Sequence, residues 1–383
     1  MRPSLRVIAS PEARAWSPTD LIFRRFDKPT EVDAGSEKMN HFVGRTIGIA
    51  ALSANMLIGA SAFAQDEQLV ARAKAEGRIL WYTAQIVDQL ARPTAQAFEK
   101  KYGIRVEYVR ADSSVIALRI ANEAKAGRNV ADVFDGSSTV PYLKKEGLVA
   151  QWVPPSASRL PDRYVDKEKY WVAINEFVFT PAFNSTLIKA NEAPVIWTDF
   201  LNPQWKGKLV WSSLPIASAA PGFIGMMISE LGEDKAIDLL KRLNAQQPVG
   251  LKTSARQVLD QVISGEYPLA IHSFNHQSVI SAAKGAPSVW QPLSPALAVM
   301  TVASVTKAAP HPNAARLFVE FLVSKEGQEL LRDNDYIPVD PEVPPRNADL
   351  RPNGKNFRAI YMTPEEIEIG MTKWTGIYND IFR

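Results

Sequence analysis

The chain has 383 residues, with 44 Lys and Arg against 41 Asp and Glu, and no Cys. Of these charges, 8 basic and 6 acidic precede Gln65, leaving 36 against 35, so the remainder lacks the broad basic surface that nucleic-acid binding requires. Without Cys there are no disulfide staples or thiolate metal sites, and any metal must use oxygen or imidazole ligands.

Residues 1–38 scatter Arg, Pro and Asp without a period and are set apart from the fold as an upstream or disordered extension. Residues 39–64 read as a secretory leader. Lys38 and Arg45 flank the uncharged run from Thr46 to Ala60, and Ala62-Phe63-Ala64 then offers small residues at the positions a signal peptidase reads. Cleavage after Ala64 would start the working protein at Gln65, outside the cytoplasm, and no later apolar run reaches bilayer-spanning length.

Val70 to Glu76 has helical spacing, and Gly77 ends it before the buried strand Ile79-Leu80-Trp81-Tyr82. A helix over Leu90 to Tyr102 stops at Gly103, and Ile104 to Val109 alternates as a strand. Ser113-Ser114 opens a helix from Val115 to Ala126, and Ala131-Asp132-Val133-Phe134 is a third strand. This is the βαβαβ order of an α/β sheet, whose ligands sit beyond the carboxyl ends of its strands: the loops at Tyr82 to Gln85, Ala111 to Ser114 and Asp135 to Ser138. After a short helix at Tyr142 to Gly147 and a Pro/Ser loop, two extended segments, Tyr170 to Ile174 and Phe177 to Phe179, carry the chain between lobes. A second α/β unit follows, with strands at Leu209 to Trp211 and Leu269 to His272 and helices near 222–232, 233–244 and 254–264. Ala298 to Val305 reads as a strand returning to the first lobe. A helix follows over Ala314 to Leu322, and a terminal helix opens at Thr363-Pro364-Glu365-Glu366.

In order along the chain, Ile79-Leu80-Trp81-Tyr82-Thr83, Ala131-Asp132-Val133-Phe134, Asn202-Pro203-Gln204-Trp205-Lys206-Gly207-Lys208, Ala308-Ala309-Pro310-His311-Pro312-Asn313-Ala314-Ala315 and Phe321-Leu322-Val323-Ser324-Lys325-Glu326-Gly327-Gln328 resemble the substrate-binding proteins of ATP-binding-cassette (ABC) importers. The resemblance is to the cluster that includes ferric-ion, thiamine, polyamine and phosphonate receptors. It implies an α/β fold of the type II periplasmic binding class, two α/β lobes with a hinge and an interlobe ligand cleft. It also implies a non-enzymatic, periplasmic receptor, monomeric and without cofactor, that delivers a small molecule to an ABC permease in the inner membrane. On this basis lobe 1 is expected over 65–172 plus 296–345, and lobe 2 over 173–295 plus 346–383.

Ferric members of that family hold the metal through adjacent tyrosines in the segment after the strand equivalent to Leu269 to Ile271. Here that segment is Ser273-Phe274-Asn275-His276-Gln277, and none of the ten tyrosines adjoin one another. Ferric iron prefers anionic oxygen, which favours an organic ligand, with a ferric receptor as the alternative. The candidate contacts are Tyr82, Gln85, Ser113, Ser114, Ser137, Ser138, Asn175, Ser213, Ser254, Arg256, His272, Asn275 and His276, with no metal or catalytic group. Serines at the helix starts at 113–114 and 254 can present hydroxyls and backbone N–H groups to an anion, although helix capping alone also accounts for them. Arg256 adds a fork suited to carboxylate or phosphonate, or pairs with Asp260 one turn on. His272 and His276 flank one loop and are expected as hydrogen-bonding groups more than as a metal pair, because a helix would have to begin between them. A periplasmic hydrolase is the other class, but the chain shows no Gly-x-Ser-x-Gly elbow and no His-Glu-x-x-His motif. Should the anion site fail, a cationic ligand read by Asp135 and Glu176 is the alternative.

Overall fold

The computed structural model describes residues 67–383. The expected upstream extension, leader and cleavage point lie outside these residues. After α1 (67–76) come β1 (Arg78–Thr83), a π-helical turn at Val87–Ala91, α2 (Arg92–Tyr102), β2 (Arg105–Arg110), α3 (Ser113–Lys125), β3 (Val133–Gly136) and α4 (Thr139–Lys145). The chain continues through β4 (Val172–Asn184), β5 (Leu209–Ser212), α5 (Ala220–Leu231), α6 (Glu233–Asn244), β6 (Val249–Leu251), α7 (Ala255–Ser264), β7 (Leu269–Phe274), α8 (Asn275–Ala283) and β8 (Ser288–Trp290). It ends in β9 (Ala296–Val305), α9 (Pro312–Val323), α10 (Lys325–Asp333), β10 (Ile337–Pro338), β11 (Ala359–Met362) and α11 (Pro364–Phe382).

The strands join in the order β2-β1-β3-β9-β4-β7-β5-β6, with β8 and β10 added to β4 and β11 to β9. Pairing is parallel within β2-β1-β3 and within β7-β5-β6, as helical crossovers require. The two antiparallel strands between these blocks, β4 and β9, run through both halves. Val172 to Ile174 of β4 pack in the first core with Trp81, Phe98 and Phe318, whereas Phe179 and Phe183 pack in the second with Trp211, Phe223 and Trp374. Along β9, Met300 to Val305 belong to the first core, and Leu297 and Val299 to the second. The molecule is therefore the expected α/β fold of two lobes, joined by two continuous strands.

Three elements differ from the sequence reading. The two extended segments around 170–179 are one thirteen-residue strand, because Asn175 and Glu176 pair in register with Thr301 and Met300 of β9 despite a bulge beside Ala173. The strand expected to stop at His272 continues to Phe274, and α8 begins immediately at Asn275. Sequence periodicity concealed α8, since Asn275, His276, Gln277 and Ser278 are polar yet buried. The helix expected from Leu90 is preceded by a π-helical turn that buries Leu90 against Leu331 and Tyr336.

Candidate ligand-binding site

The carboxyl ends of β1 and β3 meet β4 where it leaves lobe 1. Gln85 is buried after β1, and its Nε2 donates to Asn175 Oδ1 of β4 at 2.7 Å. The Ala84 N–H donates to Asp135 Oδ1 at 2.8 Å, which fixes the loop against β3. Burial pushes the Asp135 carboxyl up to about 7, against the opposing pull of Thr83 and this N–H.

Gly136 follows at φ +155, where a Cβ would lie 2.1 Å from Thr139 Oγ1 and 2.6 Å from Ser113 Oγ. That close approach places the Ser137 N–H 3.3 Å from Ser113 Oγ, to which it donates, while Thr139 Oγ1 donates to the Ser113 carbonyl at 3.4 Å. The starts of α3 and α4 are thereby tied together. The first N–H bonded within α3 is that of Ile116, to the Asp112 carbonyl at 3.0 Å, so helix geometry leaves those of Ser113, Ser114 and Val115 without an intrahelical partner. Ser114 is exposed, and Ser113, Ser137 and Ser138 are partly buried. Of the six serines expected from the sequence, Ser113, Ser137 and Ser138 thus flank one junction, with Ser114 next to it.

In lobe 2 the same residue types are engaged within the protein. Ser254 caps α7 in a capping box with Gln257. Arg256 pairs with Asp260 at 2.6 Å and donates to Ser281 Oγ of α8 at 2.8 Å, binding two helices together. The Asn275 side chain donates to the Leu350 carbonyl at 2.8 Å and accepts from the His276 N–H at 2.7 Å. Ser213 donates its N–H to the Leu251 carbonyl at 2.8 Å, and its side chain interacts with the phenol of Tyr378.

His276 is buried, stacked on Phe177 at 5.4 Å between centroids and flanked by Phe274 and Tyr336. Burial lowers its pKa to about 3, with help from Arg256, so the ring is neutral and its Nδ1 has no hydrogen-bond partner. His272 is also buried and lowered to about 3, and it stacks on Phe179 at 4.7 Å in the lobe-2 core, with Phe274 between it and His276. Tyr82 is turned towards α3, where its hydroxyl donates to Glu123 Oε1 at 2.7 Å under the Arg119 guanidinium. Burial and Glu123 raise it to about 12.

The structure therefore joins Ser113 with Ser137 and Gln85 with Asn175, and it engages Tyr82, Ser254, Arg256, Asn275 and His272 in contacts of their own. It also brings in residues outside that candidate set: Tyr336 and Tyr164, which the sequence reading did not single out, and Glu176, which it named only for a cationic ligand. Tyr336 packs on His276, and its hydroxyl donates to Gln89 Oε1 at 3.4 Å. Glu176, fully buried on β4, accepts a hydrogen bond from the Tyr164 hydroxyl. A lone charge in the thirteen-residue run Val172 to Asn184 was the available signal for Glu176, whereas nothing local marks Tyr164 or Tyr336.

The family model of bacterial extracellular solute-binding proteins matches residues 129–361. A putative 2-aminoethylphosphonate-binding periplasmic protein of Salmonella typhimurium is 24% identical over 312 residues, covering 79% of this chain and 85% of that protein. The major ferric iron-binding protein of Neisseria meningitidis is 26% identical over 255 residues, covering 63% and 75%. Among solved structures, the periplasmic binding protein AfuA of Actinobacillus pleuropneumoniae, with fructose-6-phosphate bound, superposes with a TM-score of 0.67 at 21% identity over 80% of this chain and 98% of that one. Among the described residues no helix is long and apolar enough to cross a membrane, and no group of three or more His, Asp or Glu is placed to hold a metal ion.

Proposed function

The chain belongs to the bacterial extracellular solute-binding protein family, and on that premise we propose that it is a periplasmic receptor which captures a small anionic organic molecule and passes it to an ABC permease. The observation that carries the ligand class is the junction at Gly136, where the starts of α3 and α4 are drawn together around Ser113 and Ser137. First-turn N–H groups without an intrahelical partner and adjacent hydroxyls favour a phosphonate, phosphate or carboxylate. Gln85 and Asn175 add neutral amides beside it. The relatives are named as binding proteins, which supports a receptor that releases its ligand unchanged over a hydrolase.

A ferric receptor is the second reading, favoured by the Neisseria relative. Isothermal titration with 2-aminoethylphosphonate, fructose 6-phosphate and ferric citrate separates the two. Stoichiometric heat with a phosphonate or sugar phosphate and a colourless protein with ferric citrate support the organic anion. A visible phenolate-to-iron band at one iron per chain overturns it.

A further inference from the structure

On the face of β4 opposite Asn175 and Phe177, both lobes converge on the carboxyl of Glu176. From lobe 1, Tyr164 donates to Glu176 Oε1. The neighbouring Arg163 lies over the Tyr164 ring at 4.7 Å and over the Tyr361 ring of β11 at 4.8 Å, so one guanidinium spans the two lobes. From the segment before β11, Arg351 faces the same carboxyl while donating to the Pro338 carbonyl, and its buried Nε has no partner. The Tyr361 phenol also faces Glu176, whose Oε2 completes no hydrogen bond of ordinary geometry. The remaining neighbours are uncharged, Met300 of β9 and Ile337 of β10, and Asp340 acts on Arg351 from beyond them.

We infer that Glu176 and the groups around it form a proton-dependent latch between the lobes, protonated when Tyr164 and Arg163 cover it and ionised when the lobes part and water reaches it. Burial raises the Glu176 carboxyl from 4.5 to about 7, more than Arg351, Arg163 and Tyr361 lower it. The covered state therefore takes up a proton. Its advantage is fully present below the hydrated carboxyl's pKa and is lost as pH rises through about 7. Between pH 6 and 8 the ratio of closed to open molecules falls about tenfold. Other groups that burial shifts do not compete. Asp135 takes its hydrogen bond from Ala84 within lobe 1, and His272 and His276 stay neutral across this range.

Because the chain has no Cys, spin labels attach only where cysteines are introduced, for example at the exposed Lys145 of α4 and Lys241 of α6. Interlobe distances are then measured by pulsed electron resonance without ligand from pH 5 to 9, so failure here leaves the anion reading untouched. The latch requires the short-distance population of the otherwise unmodified protein to fall as pH rises through about 7, and Glu176→Gln to abolish that dependence. A distance distribution that does not change with pH, or an unchanged dependence in Glu176→Gln, overturns it. Should Glu176→Gln not fold, Tyr164→Phe takes its place. Losing a donor to the carboxylate must move the midpoint upward, and a midpoint that stays put overturns the latch.

Discussion

The rims of the two lobes are built from similar residues and use them differently. In lobe 1, Ser113, Ser137 and Thr139 hydrogen-bond across the starts of two helices, and the first-turn N–H groups of α3 have no intrahelical partner and no side-chain cap from Asp112. In lobe 2, Ser254, Arg256 and Asn275 are engaged by Gln257, by Asp260 and Ser281, and by the Leu350 carbonyl. Serine at a helix start is therefore ambiguous until its bonds are traced. A hydroxyl closed into a capping box stabilises its own helix, whereas one shared between two helix starts leaves donors for an occupant.

The sharpest break in this comparison is Gly136→Val. A side chain at φ +155 that collides with Thr139 and Ser113 should cost about 2 to 3 kcal/mol in denaturant unfolding and abolish calorimetric binding of the phosphonate. Next is Asn275→Ala, which leaves the Leu350 carbonyl and the His276 N–H without their partner. It should lower unfolding free energy by about 1 to 3 kcal/mol while binding at low temperature persists, and selective loss of binding would make Asn275 a ligand contact instead. Ser113→Ala should weaken 2-aminoethylphosphonate about tenfold, and Arg256→Ala no more than about threefold, because Asp260 and Ser281 hold that guanidinium. The reverse order in paired titrations would move the anion site to lobe 2.

The smallest effect concerns protons. His272 and His276 are held neutral, so each costs stability as pH falls below the unfolded value of 6.5. Asp135 and Glu176 are raised to about 7 and contribute in the opposite sense, since their stabilisation is present at low pH and lost through about 7. The two pairs nearly cancel, so stability should be flat between about pH 5.5 and 6.5. His272→Gln removes one side of that balance, and unfolding free energy should then rise by about 1 kcal/mol on acidification across the same range. A sloping wild-type profile would show that the histidines and carboxyls are not matched.

Much of lobe 1 was legible because its order is local. Trp81 lies on an apolar strand run and Val106 on an alternating one, Gly103 stops α2 in the left-handed conformation, and the serines mark the start of α3. Lobe 2 was legible where burial follows a period, as in α6 and α7, and failed at α8, where buried Asn275, His276 and Gln277 imitate a loop. Asn275 is buried because its partner, the Leu350 carbonyl, is 75 positions away, a separation no sequence window spans.

The amino-acid sequence by itself determined the α/β order and the absence of cysteine chemistry, because periodicity, capping residues and composition act over a few neighbouring positions. Only the tertiary structure decided which polar side chains remain available. Tyr82 turned to Glu123, Arg256 to Asp260 and Ser281, and Glu176 to Tyr164 and Arg351, each through contacts made by chain folding. A buried polar group must find a partner wherever the fold places one, so its role depends on distant residues that its own segment does not encode.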